Sequence, residues 1–278
     1  MHRFFIFGLG YSARCIAARL EASGWEVVST GTEGTLSFDD HATVRMALAD
    51  ASHVLSSVPP GGEGRDPVLE TFGDALAGKW LSYLSSTGVY GDTGGAWVDE
   101  CAATGTGRRT ARSQCDEQWL ALGACAFRLP GIYGPGRSIF ERIREGRAHR
   151  IDLPGQVFSR IHVDDLAAGV MAALESNAPS GAYNLSDDFP CSQNLLIEEA
   201  CRLLDLPLPP LQSLEEAQLS PMARGFYAEN RRVANGKAKR VLGWRPTYPD
   251  FVTGLCALKA MTSPAKASTA PATASHDQ

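Results

Sequence analysis

A doubly wound α/β fold, a parallel sheet with helices on both faces and a small α/β carboxyl-terminal lobe, is what this 278-residue sequence predicts. Three observations predict it. Apolar strand-like runs alternate with helical patterns through the first half. Those runs are continuous rather than alternating, as strands covered on both faces require. The first run breaks into Gly8-Leu9-Gly10-Tyr11-Ser12-Ala13, a glycine turn that opens a helix.

The strand signals fall at 3–8, 25–30, 53–58, 79–86 and 124–129, and the helical signals at 12–23, 40–49, 66–77 and 108–122. Ile16, Ala17 and Leu20 share one face of the first helix, and Gly24 stands where a C-cap would stop it. Beyond Pro130 the pattern loosens, with a helix at 163–174, a strand at 182–185 and a helix at 193–204. Residues 1–130 are read as the first domain, with 155–178 able to join it, and 131–260 as the small lobe over the carboxyl ends of the strands. The stretch 262–278 is rich in Ala, Ser, Thr and Pro, lacks periodicity, and reads as a disordered tail.

Composition narrows the function classes. A hydrophobic content of 44% fills a core of this size, and a formal charge of −5 leaves no electrostatic footprint for nucleic acid or an anionic membrane. The partner expected is a small molecule. Seven cysteines, odd in number and without a C-x-x-C pair, suit reduced core thiols better than a disulfide framework or a metal site. No apolar run reaches the roughly 18 residues that span a bilayer. The chain enters its first strand directly after Met1-His2-Arg3, so a cytoplasmic location is expected.

The glycine turn points to a dinucleotide. Gly8 permits the tight turn, Gly10 lets the backbone approach a pyrophosphate, and the small Ala13 lets helix and strand pack closely, with the helix N-terminus facing the anion. Leu9, Tyr11 and Ser12 complete the turn, Ser12 serving as phosphate contact or as N-cap. At the end of the second strand stand Thr30 and Thr32, where an NAD site places Asp or Glu on the ribose. Hydroxyls there tolerate a 2′-phosphate, which favours NADP over NAD, while Glu33 is close enough to act as a displaced acid. After the strand at 53–58, Ser57, Val58 and Pro59 belong either beside the cofactor or to a simple surface turn.

Four further segments carry a resemblance. Ser85-Ser86-Thr87-Gly88-Val89-Tyr90-Gly91, Arg128-Leu129-Pro130-Gly131-Ile132-Tyr133-Gly134-Pro135-Gly136-Arg137, Ile161-His162-Val163-Asp164-Asp165-Leu166-Ala167 and Gly181-Ala182-Tyr183-Asn184-Leu185 occur in that order. Together they resemble the extended short-chain dehydrogenase/reductases, the NAD-dependent epimerase/dehydratase group, over about residues 3 to 255. The resemblance implies a Rossmann domain holding NAD(P) and a second lobe holding the substrate, often a nucleotide sugar. It also implies a hydroxyl at Ser86 or Thr87, a family dimer helix at 108–122, and a tyrosine with a lysine four residues later. In that pair the lysine charge lowers the tyrosine pKa so that the phenol can move a proton.

The pair is missing. Arg108 falls on the tyrosine position and Arg112 on the lysine position, no lysine occurs between Lys79 and Lys237, and none of the seven tyrosines has a lysine four places on. This departure resembles an atypical subgroup of the family. An arginine stays charged and makes a poor acid or base, yet it can clamp an anion. The catalytic candidates are therefore Ser86, Tyr90 as the nearest surviving phenol, and Arg112; Tyr133 and Arg137 are the substrate candidates. Arg142, Arg144, Arg147 and Arg150 extend a basic cluster beside the expected cleft. His162 reads as structural, Asp164 and Asp165 as helix caps, and Asp99 with Glu100 as a solvated face. Two functions follow: an oxidoreductase or epimerase/dehydratase-like protein with an atypical site, or a non-catalytic NAD(P)-responsive binding protein.

Overall fold

A computed structural model of the chain describes residues 2–107 and 110–262; Arg108 and the expected tail from 263 onward lie outside the described residues. The first half runs β1 (Arg3–Phe7), α1 (Tyr11–Ala22), β2 (Glu26–Ser29), α2 (His41–Asp50), β3 (His53–Ser56), α3 (Pro67–Phe72), β4 (Trp80–Ser86), β5 (Trp97–Val98), α4 (Thr110–Ala121) and β6 (Cys125–Leu129). The second continues with β7 (Gly131–Tyr133), α5 (Ile139–Arg144), β8 (Arg150–Ile151), β9 (Arg160–His162), α6 (Val163–Glu175), β10 (Gly181–Asn184) and α7 (Gln193–Leu204). It closes with β11 (Leu211–Gln212), α8 (Pro221–Phe226), β12 (Arg232–Val233), α9 (Gly236–Val241) and α10 (Phe251–Thr262).

The central sheet has six parallel strands in the order β10-β6-β4-β3-β1-β2. The continuous apolar runs have a direct cause. Phe4 and Ile6 enter a core shared with Ile16 and Leu20 of α1 and Leu166 and Val170 of α6. Their neighbours Phe5 and Phe7 enter the opposite core with Val44, Leu48, Phe72 and Trp119. Each such side chain, fully buried, stabilises the fold by about 1.5–3 kcal/mol, so truncating Leu20 to Ala should cost about 2–5 kcal/mol. Gly24, with φ +83°, follows the Ser23 cap and ends α1 as expected.

The chain leaves β1 for β2 and returns across β1 to β3, so the winding reverses between β1 and β3, and the crevice at their carboxyl ends is where open α/β sheets take ligands. Among the described residues no helix is long and apolar enough to cross a membrane.

The expected lobe at 131–260 does not run as one block. β10 pairs with β6 as the outer strand of the central sheet, and α6 packs into the α1 core. The rest gathers around a third core in which Ile139 and Phe140 of α5, Leu196 and Ile197 of α7, and Phe251 and Leu255 of α10 meet. The predicted helix at 66–77 is α3 alone, followed by a 3-10 turn over Gly73–Ala75; Asp66 caps α3 through the Val68 and Leu69 amides and also accepts Trp119 Nε1 at 2.8 Å.

Candidate functional site

At the end of β1 the backbone turns through Gly8, whose φ of +81° disfavours a side chain. Two hydroxyls hold this turn from either side. Thr30 Oγ1 accepts the Gly8 amide at 3.3 Å, and Ser57 Oγ donates to the Gly8 carbonyl at 2.5 Å, while the Leu9 amide donates to the Thr30 carbonyl at 2.8 Å. Thr30 is buried and so positions the loop instead of standing open to a ribose. Gly31 is needed as well, since a Cβ there would press on the Leu9 amide at 2.9 Å. Thr32 and Pro59 are exposed on the flanks, and Val58 lies close against Gly8.

The N-cap of α1 is Gly10, without a side-chain bond, so Ser12 is a first-turn residue and not the cap. First-turn amides are left open to an anion. A Cβ on Gly10 would meet nothing within 4 Å, which leaves free space in front of those amides. These features fit the pyrophosphate of a dinucleotide. Arg14, in the first turn of α1, forms an ion pair with Glu33 on the loop after β2, both side chains half-exposed. The sequence signal for it was a basic residue directly after Ala13.

From Gly10, Tyr11, Ser12 and Ser57 a cleft of about 710 Å³ runs past Ser86, Thr87 and Arg112 to Tyr133, Arg137 and the second lobe. Ser86 ends β4 and caps a 3-10 turn over Thr87–Tyr90, its Oγ accepting the Gly88 amide at 3.1 Å. Its own hydrogen stays available to a substrate oxygen. Arg112 donates to Tyr83 Oη at 2.7 Å and to the Leu84 carbonyl at 3.3 Å, with its guanidinium 5.7 Å over the Tyr83 ring. It is clamped onto β4 with one edge toward the cleft. Burial pushes the Tyr83 phenol up.

Tyr90, expected near the reacting atoms, is instead locked beneath the cleft. Its hydroxyl donates to Asn184 Oδ1 at 2.7 Å and accepts from Arg128 Nη1 at 3.0 Å. Arg128 in turn forms a buried ion pair with Asp116 at 2.7 Å, and Ser85 Oγ donates to the same carboxylate at 2.5 Å. Burial pushes the Tyr90 phenol up to about 12 despite the arginine beside it. The network is structural, and Tyr90 does not line the cleft. Glu100 belongs to it too: its carboxylate accepts the Asn184 amide at 2.7 Å, and burial raises its pKa, so it is no solvated face.

In the second lobe the Tyr133 ring lines the cleft, but its hydroxyl is buried without a hydrogen-bond partner against Gly254, where a Cβ would sit 2.0 Å from Oη. Arg137 lies 5.6 Å over the Tyr11 ring, whose hydroxyl donates to the Pro135 carbonyl at 3.1 Å, so this loop and the glycine turn meet. Burial pushes the Tyr11 phenol up to about 12. Of the expected basic cluster, Arg137 and Arg142 face the cleft; Arg144 covers the Phe140 ring, Arg147 pairs with Glu145, and Arg150 pairs with Glu198. His162, not an aspartate, caps α6 through its Nδ1 and the Asp164 amide. Asp165 accepts the Thr247 and Tyr248 amides at 2.7 and 2.8 Å, tying down the chain before α10.

Two cleft arginines were missed by sequence reasoning, because only the fold brings them in. Arg160 is 6% exposed and donates to the carbonyls of Phe158 and Cys191, to Cys191 Sγ and to Gln193 Oε1. Arg231 donates to the Gly91 carbonyl at 2.5 Å and pairs with Glu229 at 2.9 Å. Among the described lining residues Glu229 is the only carboxylate, against Arg112, Arg137, Arg142, Arg160 and Arg231. A chain of net negative charge therefore carries a cleft lined with more positive than negative side chains.

Comparison with known proteins agrees with this fold. The chain superposes on a functionally unknown conserved protein from Silicibacter pomeroyi with a TM-score of 0.84 and 39% identity, over 94% of this chain and 99% of that one. The human epimerase family protein SDR39U1, solved with NADPH, matches in fold with a TM-score of 0.73 and 17% identity, over 93% and 99% of the two chains. A 3-diazoavenalumate denitrifying reductase of a Streptomyces species is 30% identical over 145 residues, 48% of this chain and less than half, 46%, of that protein. No family model matches the chain. The fold is thus the one shared by solved structures of NAD-dependent epimerase/dehydratase-type proteins. The chain belongs to the family of the Silicibacter pomeroyi protein.

Proposed function

We propose that this chain is an NAD(P)-dependent reductase acting on a small anionic substrate, without the tyrosine–lysine relay. The observation that carries the reading is the continuity of one cleft from the open N-terminus of α1 to a wall of arginines. Gly8, Gly10 and the first-turn amides of Tyr11, Ser12 and Ala13 would hold the pyrophosphate, and Arg14 favours the 2′-phosphate of NADP over NAD. When bound, the nicotinamide supplies a hydride. Ser86 Oγ donates its hydrogen to the substrate oxygen, and Arg112 holds positive charge beside it without itself exchanging a proton. With Tyr90 buried and the lysine missing, the proton comes from water or from the substrate. The partial match to a reductase supports the direction of the reaction.

The test uses NADPH carrying deuterium at the reactive carbon, offered with a panel of anionic aldehydes, ketones, quinones and nucleotide sugars. Label in one product is the expected result. A dinucleotide that binds but transfers no label to any member overturns the reductase reading in favour of a cofactor-responsive binding protein. That second reading has its own support in Arg112, whose guanidinium is committed to Tyr83.

A further inference from the structure

The far end of the cleft has a composition that the reductase reading does not use. Phe158 and Tyr227 meet there edge to face, 5.5 Å apart at 89°, so the two rings form a corner and not a closed stack. Arg142 and Arg160 both act on the Tyr227 phenol, which burial nonetheless holds above its ordinary pKa. Arg160 also lies 5.9 Å from the Phe158 ring. Its Nη1 and Nη2 donate to four neutral acceptors, and its charge also acts on the buried Asp187 carboxylate, so it is a fixed positive charge with no ion pair within hydrogen-bond distance among the described residues. Arg142 differs. It is exposed, and among the described residues its guanidinium makes one long 3.4 Å contact, to the Arg147 carbonyl, so its fork is available. Ile139, Ala148, Leu196, Ile197 and Leu255 add an aliphatic floor, beside the polar side chains of His149, Ser159 and Gln193.

We propose that this corner binds a planar aromatic carboxylate, with the ring in the angle between Phe158 and Tyr227 and the carboxylate on the Arg142 fork. The inference rests on reading the cleft as the substrate site, and it names the substrate class. An aromatic ring gains from edge-to-face contacts and from an aliphatic floor. A guanidinium meets a carboxylate through two parallel bonds, and Arg160 adds attraction without competing for the same oxygens. The two rings and the aliphatic floor offer a flat apolar ring more than they offer a sugar's hydroxyls, so the corner favours the aromatic acid over a nucleotide sugar.

The experiment titrates trans-cinnamate, its uncharged alcohol and uridine diphosphate calorimetrically into the full chain, with and without saturating NADP+. Cinnamate should bind, and the alcohol should bind about tenfold or more weakly, since the charge-assisted fork is worth at least that factor. Arg142→Gln should weaken cinnamate about tenfold with an unchanged melting temperature, because the side chain is exposed and loosely held. Tyr227→Phe should keep the affinity and Tyr227→Ala should lose it, which separates stacking from the hydroxyl. The proposal is overturned if uridine diphosphate displaces cinnamate, or if NADP+ binds while cinnamate does not. If cinnamate binds and neither dinucleotide does, the pocket stands and the reductase reading fails.

Discussion

The two ends of the cleft are built from different materials. At the glycine turn the groups offered to the cleft are backbone amides within a few residues of one another, in a turn held by Thr30 and Ser57. At the second-lobe end they are the side chains of Arg142, Phe158, Arg160 and Tyr227, which only the folded chain assembles. Backbone recognition needs a local sequence pattern and tolerates change elsewhere. Side-chain recognition needs a topology, and it can be rebuilt for a new substrate without disturbing the cofactor end.

Changes that break this contrast can be ranked. The largest effect should come from beneath both ends: Arg128→Met leaves Asp116 as an unpaired buried charge and should cost about 3–5 kcal/mol in urea unfolding. Next, Gly10→Val places a side chain in the open space before the α1 amides, where no protein atom is in the way. Dinucleotide affinity should fall by about a hundredfold, close to 2.7 kcal/mol, with the melting temperature unchanged. A parallel loss of stability would mean that Gly10 serves the fold and not the ligand.

Asp187 supplies a pH dependence. Both of its carboxylate oxygens are buried without partners, and burial pushes the group up to about 8, against the pull of Arg160 and with Asp188 adding to the rise. The folded state therefore keeps a proton that the unfolded chain releases near its ordinary value of about 3.9. Stability from the neutral form is complete below about pH 4 and is lost as the pH rises toward about 8. Thermal melts should show Asp187→Asn losing less between pH 5 and 8 than the parent, and a parallel pair of curves would refute the assignment.

Smaller effects sharpen the comparison. Tyr90→Phe removes one bond each from Asn184 and Arg128 and should cost about 1–2 kcal/mol while leaving turnover intact. A proton donor would instead lose about a hundredfold or more in kcat. Smallest is Glu33→Gln, which frees Arg14 from a half-exposed pair worth up to about 1 kcal/mol; affinity for NADP+ should rise about two- to fivefold in titration, and that for NAD+ should not.

The fold was legible in the sequence because apolar β1 residues must feed two cores at once, and Phe4 to Phe7 do so. Boundaries shifted where capping decided them: Gly10 took the place expected of Ser12, and His162 the place expected of Asp164. β10 was read into the second lobe because its pairing with β6 is a long-range event with no local mark. Tyr90 misled for a related reason. Its motif places it one turn past Ser86, but its exposure is set by Arg128 and Asn184, which arrive from β6 and β10. Arg160 and Tyr227 had no local signal at all, since a cleft wall is a property of tertiary packing.

The central claim is that the glycine turn binds a dinucleotide and that the positive cleft beyond it is a substrate site. Calorimetric titration of the full chain with NADP+ and with NAD+ tests the first part most directly. Saturable one-to-one binding is expected, tighter for NADP+ and weakened about a hundredfold by Gly10→Val. Absence of heat with either dinucleotide, in a chain whose thermal melt is cooperative, would contradict the account.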